Sequence, residues 1–173
     1  MSKIAIGLPA FNEGENIASI ILQLKKKYEL IIVCDDGSND LTAEIAEKMG
    51  AIVVKHKKNL GYGGAIRSLF TKARELECDI LVTFDSDGQH VVSEIGKIIE
   101  PIEKNEADIV IGSRFLGTIK GDIPSYRKMG IKLITNLVNS STGKKITDSQ
   151  SGFRAYSKTV LEKIIPSESG MGV

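Results

Sequence analysis

Short apolar runs at positions 4–8, 30–34, 51–54, 80–84 and 109–111 recur between stretches of helical spacing. Runs of this length, bounded by polar or turn residues, predict strands buried on both faces. Between them, Ile17, Ile20, Ile21 and Leu24 follow the helical period, as do Ala65, Ile66, Leu69, Phe70 and Ala73. Each set makes one apolar stripe suited to packing on a sheet. Ser38 or Asp40 is placed to cap a helix running to Met49, and Gly50 suits the left-handed position that ends it. Strand and helix alternate, which predicts an open, mostly parallel α/β sheet with helices on both faces and a ligand crevice at the carboxyl ends of the strands. From 115 to 124 the pattern gives way to a Gly-containing loop, and helical spacing resumes through Met129, Leu133 and Leu137.

At 173 residues the chain fits one domain with one core. Its 23 Lys and Arg nearly cancel 22 Asp and Glu, so no overall field favours nucleic acid. Cys34 and Cys78 lie in apolar, strand-like contexts and read as reduced core thiols of a cytosolic protein. No apolar stretch approaches the roughly 18 residues that would span a bilayer. Residues 166–173 read as a loop-like end with no closing element, from which a truncated chain is expected.

The polar residues that carry chemistry sit where the predicted strands end. Asn12-Glu13 follow the first, Asp35-Asp36 the second, Lys57-Lys58-Asn59 the third, Asp85 to Gln89 the fourth and Ser113-Arg114 the fifth. Asp85 and Asp87 are two apart, so extended chain points both carboxylates to one face, and Gln89 continues the row with a neutral oxygen. Oxygen ligands alone favour a hard ion, Mg2+ or Mn2+. The competing reading is an acidic turn or helix cap. Asp36 in Asp35-Asp36-Gly37-Ser38 is an acceptor for a base N–H or part of a turn. Arg114, and Arg127-Lys128 after the loop, suit phosphate. Asp148 is a general base, an acceptor-orienting group or a turn cap. His90 reads as a scaffold residue, and Lys25-Lys26-Lys27 as a solvated helix end. Asn59-Leu60-Gly61-Tyr62-Gly63-Gly64 fails as a dinucleotide fingerprint, because Ile66 stands where the last glycine belongs. A Gly-Lys-Ser/Thr phosphate loop is also missing from the sequence.

Taken together, Pro9-Ala10-Phe11-Asn12-Glu13, Asp35 to Asp40, Asp85-Ser86-Asp87-Gly88-Gln89-His90, Gly112-Ser113-Arg114 and Asp148 to Arg154 resemble the family-2 nucleotide-sugar glycosyltransferases. Within that family the chain looks most like the polyprenyl-phosphate glycosyltransferases, including dolichol-phosphate mannose synthases. The resemblance implies a glycosyltransferase A fold, with a Rossmann-like sheet, for a single catalytic domain over residues 1–173. It implies an inverting hexosyltransferase that uses GDP-mannose or UDP-glucose as donor and a polyprenyl or dolichyl phosphate as acceptor. Pro9, Asn12, Glu13, Asp35, Asp36, Asp85 and Ser86 would then bind the nucleotide sugar, and Asp85, Asp87 and Gln89 the Mg2+ or Mn2+. Asp87, Arg114 and Asp148 would serve catalysis, with Arg127 at the lipid phosphate. Ile131 departs from a phosphate-contacting serine found in some dolichol-phosphate mannose synthases. A cytoplasmic location with peripheral contact at the cytoplasmic membrane face follows from the same resemblance, helped locally by Lys120, Arg127, Lys128 and Lys132. Two rivals stand beside it: a family-2 transferase acting on a saccharide hydroxyl, and a sugar-nucleotide-binding domain without turnover.

Overall fold

The computed structural model describes residues 2–85, 92–116, 125–143 and 145–164. Among these residues six strands form one sheet in the order β3-β2-β1-β4-β6-β5. The strands are β1 (Ile4–Ala10), β2 (Leu30–Asp35), β3 (Ile52–Lys55), β4 (Ile80–Thr83), β5 (Ile109–Ile111) and β6 (Arg154–Ser157). The helices are α1 (Ile17–Leu24), α2 (Thr42–Lys48), α3 (Tyr62–Glu75), α4 (Ile95–Glu103), α5 (Ser125–Thr142) and α6 (Lys158–Lys163). β1 pairs in parallel with β2 and β4, and β2 with β3. β6 runs antiparallel between β4 and β5.

Alternation along the strands sorts the core into two layers. Ile6, Leu8 and Ala10 of β1, with Ile31 and Val33 of β2 and Ile80 and Val82 of β4, meet α1 and α4 on one face. Ala5, Ile32, Cys34 and Leu81 meet α3 and α6 on the other. α1 buries Ile17, Ile20, Ile21 and Leu24, and α3 buries Ala65, Ile66, Leu69, Phe70 and Ala73, the stripes expected from their spacing. Gly7 brings β1 close to α3: a Cβ there would lie 3.2 Å from both δ carbons of Leu69. Cys34 and Cys78 are buried free thiols, and burial followed by the Asp36 charge pushes the Cys34 thiol up to about 12.

Four points refine the sequence expectations, and of the two expected caps of α2 it is Asp40 that holds the first N–H of the helix. The sheet has a sixth strand, β6, whose four residues bury only Ala155 and Tyr156. Burial on both faces fails at the sheet edges, since β3 is half-buried and Ile109 of β5 is 43% exposed. α2 has no side-chain cap from its own N-cap residue, Leu41; Asp40 instead accepts from the Thr42 N–H at 3.0 Å and from the Thr42 hydroxyl. α5 is helical through Met129, Leu133 and Leu137, yet these are 72%, 63% and 64% exposed. Among its described side chains Ile131 and Thr135 are buried, on the opposite side of the helix.

Candidate active site at the carboxyl edge of the sheet

The parallel strands release their polar residues at one edge. Because β6 is antiparallel, its first residue arrives there too: Arg154 pairs with Thr83 of β4 and Ile111 of β5. Residues 145–153 are thereby folded over the ends of β4 and β5. Hydrogen bonds fix how the described parts of the loops at this edge meet.

The loops after β1 and β2 are laced together. Asn12 N–H donates to Ser38 Oγ at 2.9 Å, Asn39 N–H to Asn12 Oδ1 at 2.9 Å, Glu13 N–H to Thr42 Oγ1 at 2.8 Å and Gly14 N–H to Asp40 Oδ2 at 3.0 Å. Asn12 accommodates this with a φ of 56°, in the left-handed region that asparagine tolerates. Glu13 is half-buried and its carboxylate accepts from the Asn16 amide at 3.1 Å. Pro9 lies in β1 opposite Cys34. Asp35 is fully buried; its Oδ1 accepts from the Ser38 N–H at 3.2 Å, and its Oδ2 has no hydrogen-bond partner among the described residues. Asp36, 4% exposed, accepts from the N–H groups of Leu60 at 2.8 Å and Gly61 at 2.9 Å, and from His56 at 2.6 Å. Gly37, at φ 76°, lies against the backbone of Lys58 and Asn59, so a side chain there would meet main chain.

Asp85 stands half-buried just beyond β4, and its Oδ1 accepts from the Tyr62 hydroxyl at 3.2 Å. Burial, then the Asp85 charge, pushes the Tyr62 phenol upward, so it remains a donor. Gly152 crosses against this pair so closely that a Cβ would overlap the Asp85 carboxylate and the Tyr62 oxygen. Thr83 anchors the crossing by donating to the Gly152 carbonyl at 2.7 Å. Arg154 stiffens it through Nε to the Ser151 carbonyl at 2.8 Å and Nη2 to the Ser149 carbonyl at 2.9 Å.

Arg114, beyond β5, forms a two-pronged ion pair with Asp148: Nε to Oδ2 at 2.7 Å and Nη2 to Oδ1 at 2.9 Å. The side chains are 12% and 0% exposed. The Arg114 N–H at 3.1 Å and the Gln150 N–H at 3.2 Å complete the carboxylate's set. Burial alone would raise the Asp148 pKa, but the Arg114 hydrogen bonds and charge outweigh it and hold the carboxyl below its ordinary value. α5 supports the loop: the Asn139 side chain donates to and accepts from the Ile146 backbone, at 2.8 Å each, and Thr135 Oγ1 accepts from the Ser149 N–H at 3.1 Å.

Of the residues expected from sequence, Pro9, Asn12, Glu13, Asp35, Asp36, Asp85, Arg114 and Asp148 therefore lie at this edge. Ser86, Asp87, Gln89 and His90 lie outside the described residues, as does the Arg127 side chain, although its backbone belongs to the first turn of α5. Among the described residues no cluster of three or more His, Cys, Asp or Glu is placed to hold a metal. The donor types of Asp85, Asp87 and Gln89, two carboxylates and a carboxamide, nevertheless fit a hard divalent cation. Sequence reasoning passed over His56, Tyr62, Thr83 and Asn139. His56 carried a signal in its place directly after β3; Tyr62 sits in the glycine-rich run that fails as a dinucleotide fingerprint, which gives its hydroxyl no role.

Comparison with known proteins agrees with this arrangement. The family model described as Glycosyl transferase family 2 matches residues 5–165. The UDP-N-acetylglucosamine–dolichyl-phosphate N-acetylglucosaminyltransferase of Methanococcus voltae is 37% identical over 177 residues, covering 90% of this chain and 69% of that protein. The low-salt glycan biosynthesis hexosyltransferase Agl6 of Haloferax volcanii is 31% identical, covering 97% of this chain and 41% of that protein. Among solved structures, glucosyl-3-phosphoglycerate synthase from Mycobacterium tuberculosis with Mn2+ and UDP-glucose superposes with a TM-score of 0.71 at 23% identity, covering 94% of this chain and 58% of that one. The fold is the glycosyltransferase A type, and the chain belongs to glycosyl transferase family 2.

Proposed function

We propose that this protein transfers a hexose from a nucleotide diphosphate sugar to a polyprenyl phosphate, with inversion at the anomeric carbon. The observation that carries this choice of acceptor is the Arg114–Asp148 ion pair. A hydroxyl acceptor needs a base near neutral pKa to take its proton. Asp148 is buried, held by four donors and kept below the usual carboxylate range, which makes it a poor base. An acceptor phosphate is already anionic, so orientation suffices. Asp148 is then a positioning residue that fixes the plane of the Arg114 guanidinium, the requirement for recognising phosphate at a set place.

As the glycosidic bond breaks, negative charge grows on the departing diphosphate, and groups that hold it more tightly at that stage accelerate the step. Asp85, Asp87 and Gln89 would hold the divalent cation, which when bound supplies positive charge at that diphosphate. Arg114 supplies further positive charge from the protein. Arg127, at the start of α5, is assigned to the acceptor phosphate, and the laced loops after β1 and β2, with Asp36, to the nucleoside. The Methanococcus relative is named for a UDP-N-acetylglucosamine donor and a dolichyl-phosphate acceptor, which adds that donor to GDP-mannose and UDP-glucose as candidates. Calorimetric titration of the three with Mn2+, on the full-length chain, tests the reading. One is expected to bind with metal dependence that Asp87→Ala removes; binding of none would sink it.

A lipid acceptor brings the enzyme to a membrane. No helix among the described residues is long and apolar enough to cross one. α5 instead exposes Tyr126, Met129, Leu133 and Leu137 along one side, with Lys128 and Lys132 also exposed. Such a helix favours lying in the interface of an acidic bilayer. In flotation with vesicles containing acidic phospholipid, the protein is expected to rise with the lipid, and Leu133→Glu with Leu137→Glu to leave it in the bottom fraction. Equal flotation of the two proteins would remove α5 from the contact.

A further inference from the structure

We propose that His56 is a positioning residue that fixes the Asp36 carboxylate for a nucleobase carrying a ring N–H; this rests on the nucleotide-sugar reading above. His56 follows β3 directly, and its backbone N–H extends the ladder to the Asp35 carbonyl at 2.9 Å. The ring is thereby turned into the sheet edge, where its side chain is 9% exposed beside an Asp36 side chain that is 5% exposed. Nδ1 lies 2.6 Å from Asp36 Oδ1, and Nε2 lies 2.7 Å from Ser68 Oγ of α3. An ionised carboxylate only accepts, so Nδ1 carries the proton and donates to Asp36. In the neutral ring Nε2 accepts from the Ser68 hydroxyl. The Cys34 sulfur, 3.6 Å from Nε2, remains a neutral thiol and adds no second anion beside Asp36.

This chain of contacts distributes the acceptor capacity of Asp36. Oδ1 already takes two donors, His56 Nδ1 and the Leu60 N–H, while Oδ2 takes the Gly61 N–H. A carboxylate has roughly four acceptor positions. The remaining one therefore falls on Oδ2, and the His56 bond joins the Leu60 and Gly61 N–H groups in fixing where it points. An acceptor at that place suits the ring N–H of uracil or guanine. The ring nitrogen of cytosine at the corresponding edge carries no hydrogen and would meet Oδ2 lone pair to lone pair.

Two amide substitutions separate positioning from mere packing. In His56→Asn the amide nitrogen occupies the place of Nδ1 and keeps the donor to Asp36. In His56→Gln the amide reaches the place of Nε2 and loses that donor. UDP, GDP and CDP are titrated calorimetrically with Mn2+ into the full-length wild type and both variants, with thermal melts alongside. The expected result is that UDP or GDP binds the wild type at least about ten-fold more tightly than CDP, that His56→Asn stays within about three-fold, and that His56→Gln loses about ten-fold or more. Equal losses in both variants, tracking their melting temperatures, would reduce His56 to a packing residue and overturn the proposal. So would unchanged binding in His56→Gln. A wild type that binds no nucleoside diphosphate would instead overturn the nucleotide-sugar reading beneath it.

Discussion

Asp148→Ala is expected to lose about 3–5 kcal/mol of folding stability, the usual cost of leaving one member of a buried ion pair without its partner. Arg114 is 12% exposed and would lose the carboxylate that accepts from its Nε and Nη2, and the N–H groups of Arg114 and Gln150 would lose the same acceptor. Denaturant unfolding at neutral pH measures the loss. Acid titration gives it a sign. The Asp148 pKa is lower in the folded protein than in the unfolded chain, so its stabilisation is complete above the ordinary carboxylate value of about 4 and disappears as pH falls through the folded value. The advantage of the wild type over Asp148→Asn should therefore shrink below about pH 4. A double variant, Arg114→Met with Asp148→Leu, replaces the pair by apolar groups and should recover much of the stability. It should not recover sugar transfer, because the guanidinium proposed to meet phosphate is gone; transfer by that variant would refute the role given to Arg114.

Asp85→Asn is expected to lower kcat/KM for transfer by about 10²–10³-fold, the scale on which removal of one group stabilising transition-state charge is felt. The substitution keeps the size and hydrogen-bonding shape of a half-buried side chain, so stability should change by no more than about 1 kcal/mol. Tyr62→Phe removes only the hydroxyl that orients Asp85 at 3.2 Å and should cost about ten-fold, in keeping with groups that act through a ligand. Steady-state rates with the donor identified by calorimetry decide the matter. If Asp85→Asn turns over like the wild type, the end of β4 is not where the diphosphate is held.

The stripes on α1 and α3 could be read in advance because they are local: residues three and four apart share a helix face whatever surrounds them. The same holds for the carboxylates that close β2 and β4. β6 gave no such signal, as four residues with two buried side chains are too few to establish a period. Asp148 was visible as a candidate, yet three roles remained open because its partner lies 34 residues away. What joins them is the pairing of β5 with β6, sealed beyond the strand by the Gly112 N–H to the Phe153 carbonyl at 2.8 Å. His56 and Asp36 are likewise 20 residues apart, brought together by the parallel register of β2 with β3. α5 shows the converse limit, since its spacing predicted the helix but not that Met129, Leu133 and Leu137 would face outward.

By itself, then, the sequence determined the alternation of strand and helix, the faces of the first helices and the acidic groups offered at strand ends. Those properties depend on backbone periodicity and on residue chemistry within a few positions. Only the tertiary structure decided that β6 enters antiparallel between β4 and β5, that Asp148 holds Arg114 instead of standing free as a base, and that His56 meets Asp36. Each of these depends on strand order and register, which are settled by contacts between segments far apart in the chain and leave no mark in its local pattern.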